Sequence, residues 1–138
     1  MLSAVPRPVT VRVPAKINLH LAVGGVRADG FHDLVTVFHA VSLFDEVSVE
    51  PAEAPALEVH GDGVAEVPLD TTNLAWRAVE MLATRAEREP DVRVVLRKGI
   101  PVAGGMAGGS ADAAGALVAL SNLWRMEPVS YTHLRAHE

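Results

Sequence analysis

A glycine-rich segment holds the residue types that point most directly to chemistry. Residues 98–117 read KGIPVAGGMAGGSADAAGAL, with four glycines between Gly104 and Gly109. A strand pattern precedes the glycines and a helix pattern follows them. Glycine lets backbone N–H groups approach a ligand, and a helix N-terminus adds free N–H groups and a positive dipole end. The segment therefore predicts an anion site, with phosphate as the usual anion, and the Ser110 hydroxyl could reach a phosphate oxygen or a metal bound to it.

Other interpretations of this segment stay open. The Walker A pattern ends in Gly-Lys-Ser/Thr, and the lysine is missing here; the dinucleotide-binding fingerprint does not match either. The glycines could serve only a tight turn from strand to helix. Asp112 could serve only to complement the helix dipole. The sequence of strand, glycines, helix and hydroxyl favours anion binding over these alternatives.

A second candidate group lies near the N-terminus. Alternation after Pro14 places one polar set of side chains on one strand face, over an apolar underside. The polar set is Lys16, Asn18 and His20, and the apolar set is Ile17, Leu19, Leu21 and Val23. A lysine beside an asparagine can position a phosphate or a hydroxyl nucleophile, although a lone lysine on a strand is more often simply solvated.

Two further histidines lie in different settings. His32 follows an Asp-Gly turn and an aromatic residue, which favours a binding role in a loop. His39 lies within an apolar run and is expected to be a core histidine.

Composition bounds the function classes. The chain has 138 residues, 49% hydrophobic and 21% charged, with no cysteine and a formal net charge of −5. This excludes a disordered chain, a disulfide scaffold, cysteine-ligated metal sites and a thiol nucleophile. The negative charge disfavours nucleic acid as a partner, and no apolar run reaches the ~18 residues of a membrane span. The absence of cysteine fits a reducing compartment, and we expect a cytoplasmic protein.

Several strands follow from alternation and β-branched content. Residues 9–13 alternate, Pro14 interrupts them, and the alternation then resumes. Residues 34–43 are mostly apolar at both odd and even positions, which predicts a strand covered on both faces. Three shorter strands are also predicted, over residues 46–50, 56–60 and 92–96.

Two helices complete the pattern. One runs over residues 75–86, with Asp70, Thr71 and Thr72 as N-cap types before it. The other begins near Gly109 or Ser110 and carries Ala113, Leu117, Leu120 and Trp124 on one face. This order predicts an α+β fold, or a mixed α/β layer, with helices on one face of a sheet.

Three segments resemble the GHMP kinase superfamily. They are PAKINL at residues 14–19, RADGFHDL at residues 27–34, and the run from Ile100 to Ala114. The R-x-D-G-[YF]-H element resembles that of the cytidyl-methylerythritol kinase branch, and the sequence of the glycine segment resembles that of actinobacterial members. The resemblance implies a truncated N-terminal domain of the ribosomal protein S5 domain 2-like type. It also implies transfer of phosphate from ATP, with Mg²⁺, to the 2-hydroxyl of a cytidine diphosphate-linked methylerythritol in non-mevalonate isoprenoid biosynthesis.

The resemblance also implies residue roles. Lys16 would be the catalytic lysine. The substrate would be contacted by Asn18, Phe31 and His32, with Phe31 stacked on the cytosine. Ser110 would reach Mg²⁺ through phosphate. Asn73, Leu74 and Lys98 would lie near the adenine. The ATP phosphate loop would comprise Pro101, Val102, Ala103, Gly104, Gly105, Met106, Ala107, Gly108, Gly109, Ser110 and Ala111.

The sequence departs from the family pattern in ways that limit its expected activity. Phe31 stands where tyrosine is common, and Ala107 where glycine is frequent. The catalytic aspartate of the family lies in a G-A/S-D-V-P segment, and no such segment occurs in these residues. We expect residues 1–128 to be an incomplete N-terminal kinase domain, residues 129–138 to be a non-native tail, and the chain alone to be inactive. The alternatives are a non-catalytic nucleotide-binding module or another GHMP small-molecule kinase.

Overall fold

The structure, a computed structural model, describes residues 7–126. The expected boundary at residue 128 and the tail at 129–138 lie outside these residues. The elements follow in the order β1 (Val9–Val26), β2 (His32–Pro51), β3 (Ala56–Gly61), a 3₁₀ turn (Val64–Glu66), α1 (Leu74–Arg85), β4 (Val92–Lys98) and α2 (Gly108–Leu123). The α+β expectation is confirmed: three strands come first, and α1, β4 and α2 follow, with all four strands in one mixed sheet.

The four strands form one mixed sheet in the order β1-β2-β4-β3. β1 pairs antiparallel with β2 as a long hairpin, and β2 pairs antiparallel with β4. β3 and β4 are parallel, so the chain returns between them through α1, as parallel neighbours require. β4 then ends at the glycine segment, which leads directly into α2.

The core lies between one face of the sheet and the two helices. Alternate side chains of β1, β2 and β4 point into it, as the two-residue period of a strand dictates. The buried set is Val13, Val47, Val49, Val92, Val94 and Leu96 from the sheet with Trp76, Val79, Leu82, Ala116, Ala119 and Leu120 from the helices. The prediction of helices on one sheet face is thus confirmed.

The N-cap of helix α1 lies one residue after the three predicted cap residues, and the helix begins at Leu74. Its N-cap is Asn73, whose side-chain oxygen accepts hydrogen bonds from the N–H groups of Ala75 and Trp76. The prediction of a cap among Asp70, Thr71 and Thr72 is wrong. Asp70 instead accepts from the N–H and hydroxyl of Thr72, closing the turn before the helix.

Helix α2 begins at Gly108, close to its predicted start, but its most buried stripe is rotated. The buried positions are Asp112, Gly115, Ala116, Ala119 and Leu120. Of the four residues expected on the inner face, only Leu120 is fully buried, and the other three pack at its margin. A Cβ at Gly115 would lie 2.7 Å from Val13 Cγ1, so the absence of a side chain there lets α2 approach β1 closely.

Strand β1 is continuous through Pro14, contrary to the predicted interruption. Proline is tolerated because β1 is an edge strand of this sheet, and the register shifts between Pro14 and Ala15 instead. A second shift lies between Asn18 and His20, where Leu19 is the extra residue. Asn18 pairs with Phe38 while His20 pairs with Val37, so these two side chains lie on opposite faces. The prediction that Lys16, Asn18 and His20 share one face is therefore wrong for His20.

The outer half of the β1–β2 hairpin extends beyond the helices. The prediction that residues 34–43 form a strand is confirmed, but the prediction that both its faces are covered is wrong within the described residues. Leu34, Val35 and Phe38 are about 60% exposed, and His39, expected in the core, is also exposed. The expected apolar underside of β1 is likewise open to solvent: Ile17, Leu19, Leu21 and Val23. The prediction that these residues share one face is wrong, because the shift at Leu19 puts Leu21 and Val23 on the face opposite to Ile17.

Neither helix of residues 7–126 combines the length and the apolar character that crossing a lipid bilayer requires.

Candidate active site

A cleft of about 320 Å³ opens where β4 passes into α2. Its walls are the glycine segment on one side and the start of α1 with the residues before it on the other. The lining includes Pro68, Asn73, Leu74, Lys98, Asp112 and the run from Pro101 to Gly109. Nine of the eleven residues predicted for the phosphate loop therefore line one cleft. Ser110 and Ala111 continue into the first turn of α2.

The start of α2 leaves backbone donors available. Its N-cap is Ala107, whose alanine side chain makes no capping hydrogen bond. The first N–H groups of a helix have no intrahelical partner, so those of Gly108, Gly109 and Ser110 remain donors. Ser110 is exposed at the third position of the helix. Free N–H groups with the positive end of the helix dipole make a site for an anion such as phosphate.

Ala107 adopts the left-handed conformation, with a φ of 57°. Glycine adopts this region without cost, whereas a residue with a Cβ is strained there. The resemblance implies glycine at this position, and its backbone geometry suits glycine. Ala107 keeps the same turn at a cost in conformational energy.

Lys16 is joined to the glycine segment through its backbone. Its N–H donates to the carbonyl of Met106 at 3.2 Å, which connects the edge of β1 to the loop. Its ammonium donates to Asn18 Oδ1 at 2.9 Å and lies 5.0 Å from the centre of the Phe38 ring. The predicted pairing of Lys16 with Asn18 is therefore present, at the margin of the loop.

A buried ion cluster forms the base of the cleft. The Lys98 ammonium donates to Asp45 Oδ2 at 2.5 Å and to Asp112 Oδ2 at 2.7 Å, and all three side chains are at most 5% exposed. Asp45 Oδ1 also accepts from the N–H groups of Gly99 and Ile100, both at 2.8 Å. Asp112 Oδ1 is buried without a hydrogen-bond partner. The cluster joins β2, β4 and α2 directly beneath the glycine segment.

The two carboxyls of the cluster titrate differently. Burial raises the pKa of Asp112, the neighbouring Asp45 raises it further, and Lys98 only partly opposes this, leaving a pKa of about 7. Burial also acts to raise the pKa of Asp45, but Asp112, Lys98 and the two backbone N–H groups outweigh burial and lower it. For Lys98, burial acts to lower the pKa, and the two carboxyls outweigh burial and raise it.

The turn between β1 and β2 carries the other predicted binding residues. Asp29 accepts from the N–H of Phe31 at 3.0 Å and from Arg27 Nη2 at 2.7 Å, and these bonds, in that order, lower the pKa of Asp29. The Phe31 ring is 69% exposed. His32 Nδ1 lies 2.9 Å from the carbonyl oxygen of Gly24, so Nδ1 carries the proton and Nε2 faces outward.

The structure brings together some of the predicted site residues and not others. Lys16 contacts the loop through its backbone and Asn18 through its side chain, while Asn73, Leu74 and Lys98 line the same cleft as the loop. Phe31 and His32 do not line this cleft. Val26, the partner of His32, is ten positions along β1 from Lys16, roughly 30 Å at about 3.3 Å per residue.

Three site features differ from the sequence expectations. Asn73 is used as the cap of α1, and Lys98 is bound by two carboxylates. Asp112 lies beyond the first turn of α2, so its role is the buried ion pair rather than the helix dipole. Asp45 was not singled out from the sequence. A lone aspartate in an alternating strand, at a position of inward parity, was the available signal.

Comparison with known proteins identifies relatives of this chain in sequence and in fold. The family described as GHMP kinases N terminal domain matches residues 73–136. Proteins named 4-diphosphocytidyl-2-C-methyl-D-erythritol kinase are similar to this chain: that of Saccharopolyspora erythraea is 63% identical over 126 residues, which cover 89% of this chain and 40% of the relative. That of Mycolicibacterium smegmatis is 59% identical, covering 86% of this chain and 37% of the relative. The chain spans about 40% of the length of these curated relatives.

Solved structures agree in fold. A crystal structure of 4-(cytidine 5'-diphospho)-2C-methyl-D-erythritol kinase matches with a TM-score of 0.74 and 38% identity, covering 92% of this chain and 45% of that one. Homoserine kinase from Cytophaga hutchinsonii matches with a TM-score of 0.62 at 20% identity, covering 92% of this chain and 39% of that one, which shows a shared fold. The glycine segment, the mixed sheet and these matches agree: residues 73–136 match the N-terminal domain of GHMP kinases, and the fold is similar to that of a solved member.

Proposed function

We propose that these residues form the nucleotide-binding part of a kinase that phosphorylates the 2-hydroxyl of 4-diphosphocytidyl-2-C-methyl-D-erythritol with ATP. The observation that carries the proposal is the bond from the Lys16 N–H to the Met106 carbonyl, which joins the proposed catalytic lysine to the proposed phosphate loop. The names of the relatives supply the substrate. Because the chain spans about 40% of those relatives, the proposal concerns what these residues contribute to the reaction.

The phosphates of ATP would lie against the glycine segment. The N–H groups of Gly108, Gly109 and Ser110 would donate to phosphate oxygens, and the cleft beside Leu74 would receive the base. Lys98 would contribute no free charge, because two carboxylates already bind its ammonium. Phosphoryl transfer needs positioning and charge neutralisation more than covalent chemistry, and a backbone cradle supplies the positioning.

The residues present fit a Mg²⁺ ion that is carried mainly by the nucleotide. Among residues 7–126, no group of three or more His, Asp or Glu side chains is placed to hold a metal. Mg²⁺ commonly keeps several waters and binds substrate phosphates with one or two protein ligands. The exposed Ser110 hydroxyl is the ligand we assign, since Asp112 is buried against Lys98. When bound, Mg²⁺ neutralises phosphate charge.

Lys16 and Asn18 would orient the acceptor alcohol. The Lys16 ammonium is held by Asn18 and lies over the Phe38 ring, so its position is set while part of its hydrogen-bonding capacity remains free. The backbone of Lys16 borders the phosphate loop, and we propose that its ammonium favours the charge that develops during transfer.

Phe31 and His32 would bind the cytosine. The exposed Phe31 ring offers a face for stacking, and outward Nε2 of His32 can accept a hydrogen bond from the exocyclic amino group. Asp29 holds the backbone of Phe31, and the Gly24 carbonyl holds the His32 ring. A cytoplasmic location belongs to the same proposal.

Binding and turnover test the proposal separately. Calorimetry on the 138-residue chain is expected to detect ATP and CDP, without ADP release, since no G-A/S-D-V-P segment is present. A chimaera of residues 1–124 with the remaining C-terminal part of the Saccharopolyspora erythraea relative should release ADP with the cytidyl substrate and not with homoserine or mevalonate. Preference for another alcohol would move the chain elsewhere in the superfamily. ATP binding with an inactive chimaera would favour the non-catalytic module.

A further inference from the structure

The ends of the glycine segment rest on one buried ion cluster, formed by Asp45, Lys98 and Asp112. At the strand end, Asp45 Oδ1 accepts the N–H groups of Gly99 and Ile100. At the helix end, a Cβ on Gly108 would lie 3.3 Å from Lys98 Nζ and 3.2 Å from Ile100 Cγ2. Asp45 therefore bonds the residues that enter the loop, and Lys98, which Asp112 holds, lies close to the residue where α2 begins.

The charges of the cluster pair with one another. One ammonium faces two carboxyl groups, and Lys98 is only 5% exposed. A cation held in this way is not free to move toward a phosphate, because releasing it would leave buried carboxylates unpaired. Each of the three residues comes from a different element, so the bonds fix β2, β4 and α2 relative to one another.

We propose that the Asp45–Lys98–Asp112 cluster positions the glycine loop, holding the end of β4 and the start of α2 at the separation that nucleotide binding requires. Asp45, Lys98 and Asp112 are positioning residues in this assignment, and Lys98 is not a phosphate ligand. The inference rests on the proposed function for its ligand, a nucleoside triphosphate. Its structural part concerns the loop itself and can be measured without any ligand.

The same strand offers a matched comparison. Arg93 of β4 also bridges two carboxylates, those of Glu50 and Glu58, with N–O distances of 2.6 and 2.5 Å. This second cluster is partly exposed and lies away from the cleft. Loss of an acid from each cluster therefore removes the same charge and the same type of ion pair, and only one of them contacts the loop.

Two substitutions at Asp112 separate position from charge. Asp112→Ala and Asp112→Asn remove the same negative charge, but only asparagine keeps an oxygen that accepts from Lys98. Positioning predicts that Asp112→Ala weakens ATP binding at least about tenfold, while Asp112→Asn and the control Glu58→Ala stay within about threefold of wild type. If the cluster acts only through its charge, both Asp112 variants bind ATP equally and more tightly, and the proposal is overturned.

A second variant and a second measurement cover the remaining outcomes. If Asp112→Ala does not fold, Asp112→Glu keeps the charge and adds a methylene; positioning predicts weaker ATP binding, and unchanged binding overturns it. If the wild-type chain binds no ATP, the proposed function fails instead. Amide NMR of the ligand-free chain then tests the positioning role. The amide resonances of Gly99, Ile100 and Gly108 should shift in Asp112→Ala, or in Asp112→Glu if the alanine variant does not fold. They should not shift in the control Glu58→Ala. Unshifted resonances overturn the proposal.

Discussion

The backbone N–H of Lys16 donates to the carbonyl of Met106 at 3.2 Å, so the edge strand β1 and the glycine loop are held together independently of the lysine side chain. The ammonium of Lys16 is bound separately, by Asn18. Main chain and side chain of one residue therefore have different tasks. The first shapes the loop, and the second would act on the substrate.

This division predicts different effects of two substitutions at Lys16. Lys16→Met keeps the N–H, so ATP affinity of the 138-residue chain should stay within about threefold of wild type. The same substitution in the chimaera should abolish measurable ADP release. Lys16→Pro also removes the N–H, and ATP affinity should fall about tenfold beyond Lys16→Met, since a lost hydrogen bond is worth about 1 kcal/mol or more. Equal ATP affinities for the two variants would show that the backbone bond does not shape the loop.

Gly99 allows close contact between the strand end and β2. A Cβ at this position would overlap the carbonyl oxygen of Phe44, whereas a Cβ at Gly25 meets nothing within 4 Å. Gly99→Ala should lower the free energy of unfolding by about 2 kcal/mol or more, because backbone atoms must move. Gly25→Ala, measured in the same denaturant titration, is the control and should change it by less than about 0.5 kcal/mol. A fully stable Gly99→Ala chain would mean that β2 and the loop are not in contact.

The raised pKa of Asp112 predicts a pH-dependent stability. The carboxyl titrates at about 7 in the folded chain and ordinarily at 3.8. Between these values the folded chain holds a proton that the unfolded chain has lost, so the free energy of unfolding falls as pH rises, by up to about 1.4 kcal/mol per pH unit. The lowered pKa of Asp45 has the opposite sign and acts in more acidic solution. Asp112→Asn should flatten the decline between pH 5 and 7 in denaturant titrations, and an unchanged slope would refute the assignment.

Phe31 should contribute to CDP binding and not to ATP binding. Stacking of a base on an aromatic ring is worth about 1–3 kcal/mol, so Phe31→Ala should weaken CDP binding about fivefold or more. Leu34→Ala, also in the exposed outer hairpin, is the control and should leave CDP affinity unchanged. Calorimetry with each nucleotide distinguishes the sites. Equal weakening of ATP and CDP would indicate that Phe31 does not act on the cytosine alone.

Local sequence patterns predicted the elements well. The alternation of β1 and β2, the amphipathic period of α1, and the glycines before α2 each concern residues close in the chain. The glycine segment is recognisable because steric freedom and helix-terminal N–H groups are local properties. For the same reason, nine of the eleven predicted loop residues line one cleft.

The misassigned residues depend on contacts between distant segments. The alternation rule placed His20 with Lys16 and Asn18, but one extra residue at Leu19 reverses the faces, and a bulge is defined by the partner strand. His39 was expected in the core because its neighbours are apolar. It is exposed because helices α1 and α2 cover only the inner half of the sheet.

The sequence by itself determined the order of strands and helices, the glycine loop with its helix N-terminus, and the family motifs, because each follows from backbone freedom and periodicity along the chain. Only the tertiary structure decided that Lys98 pairs with Asp45 and Asp112, from positions 53 and 14 residues away, instead of facing a ligand. Charge pairing in a buried site depends on distance and desolvation, which exist only once β2, β4 and α2 have packed together.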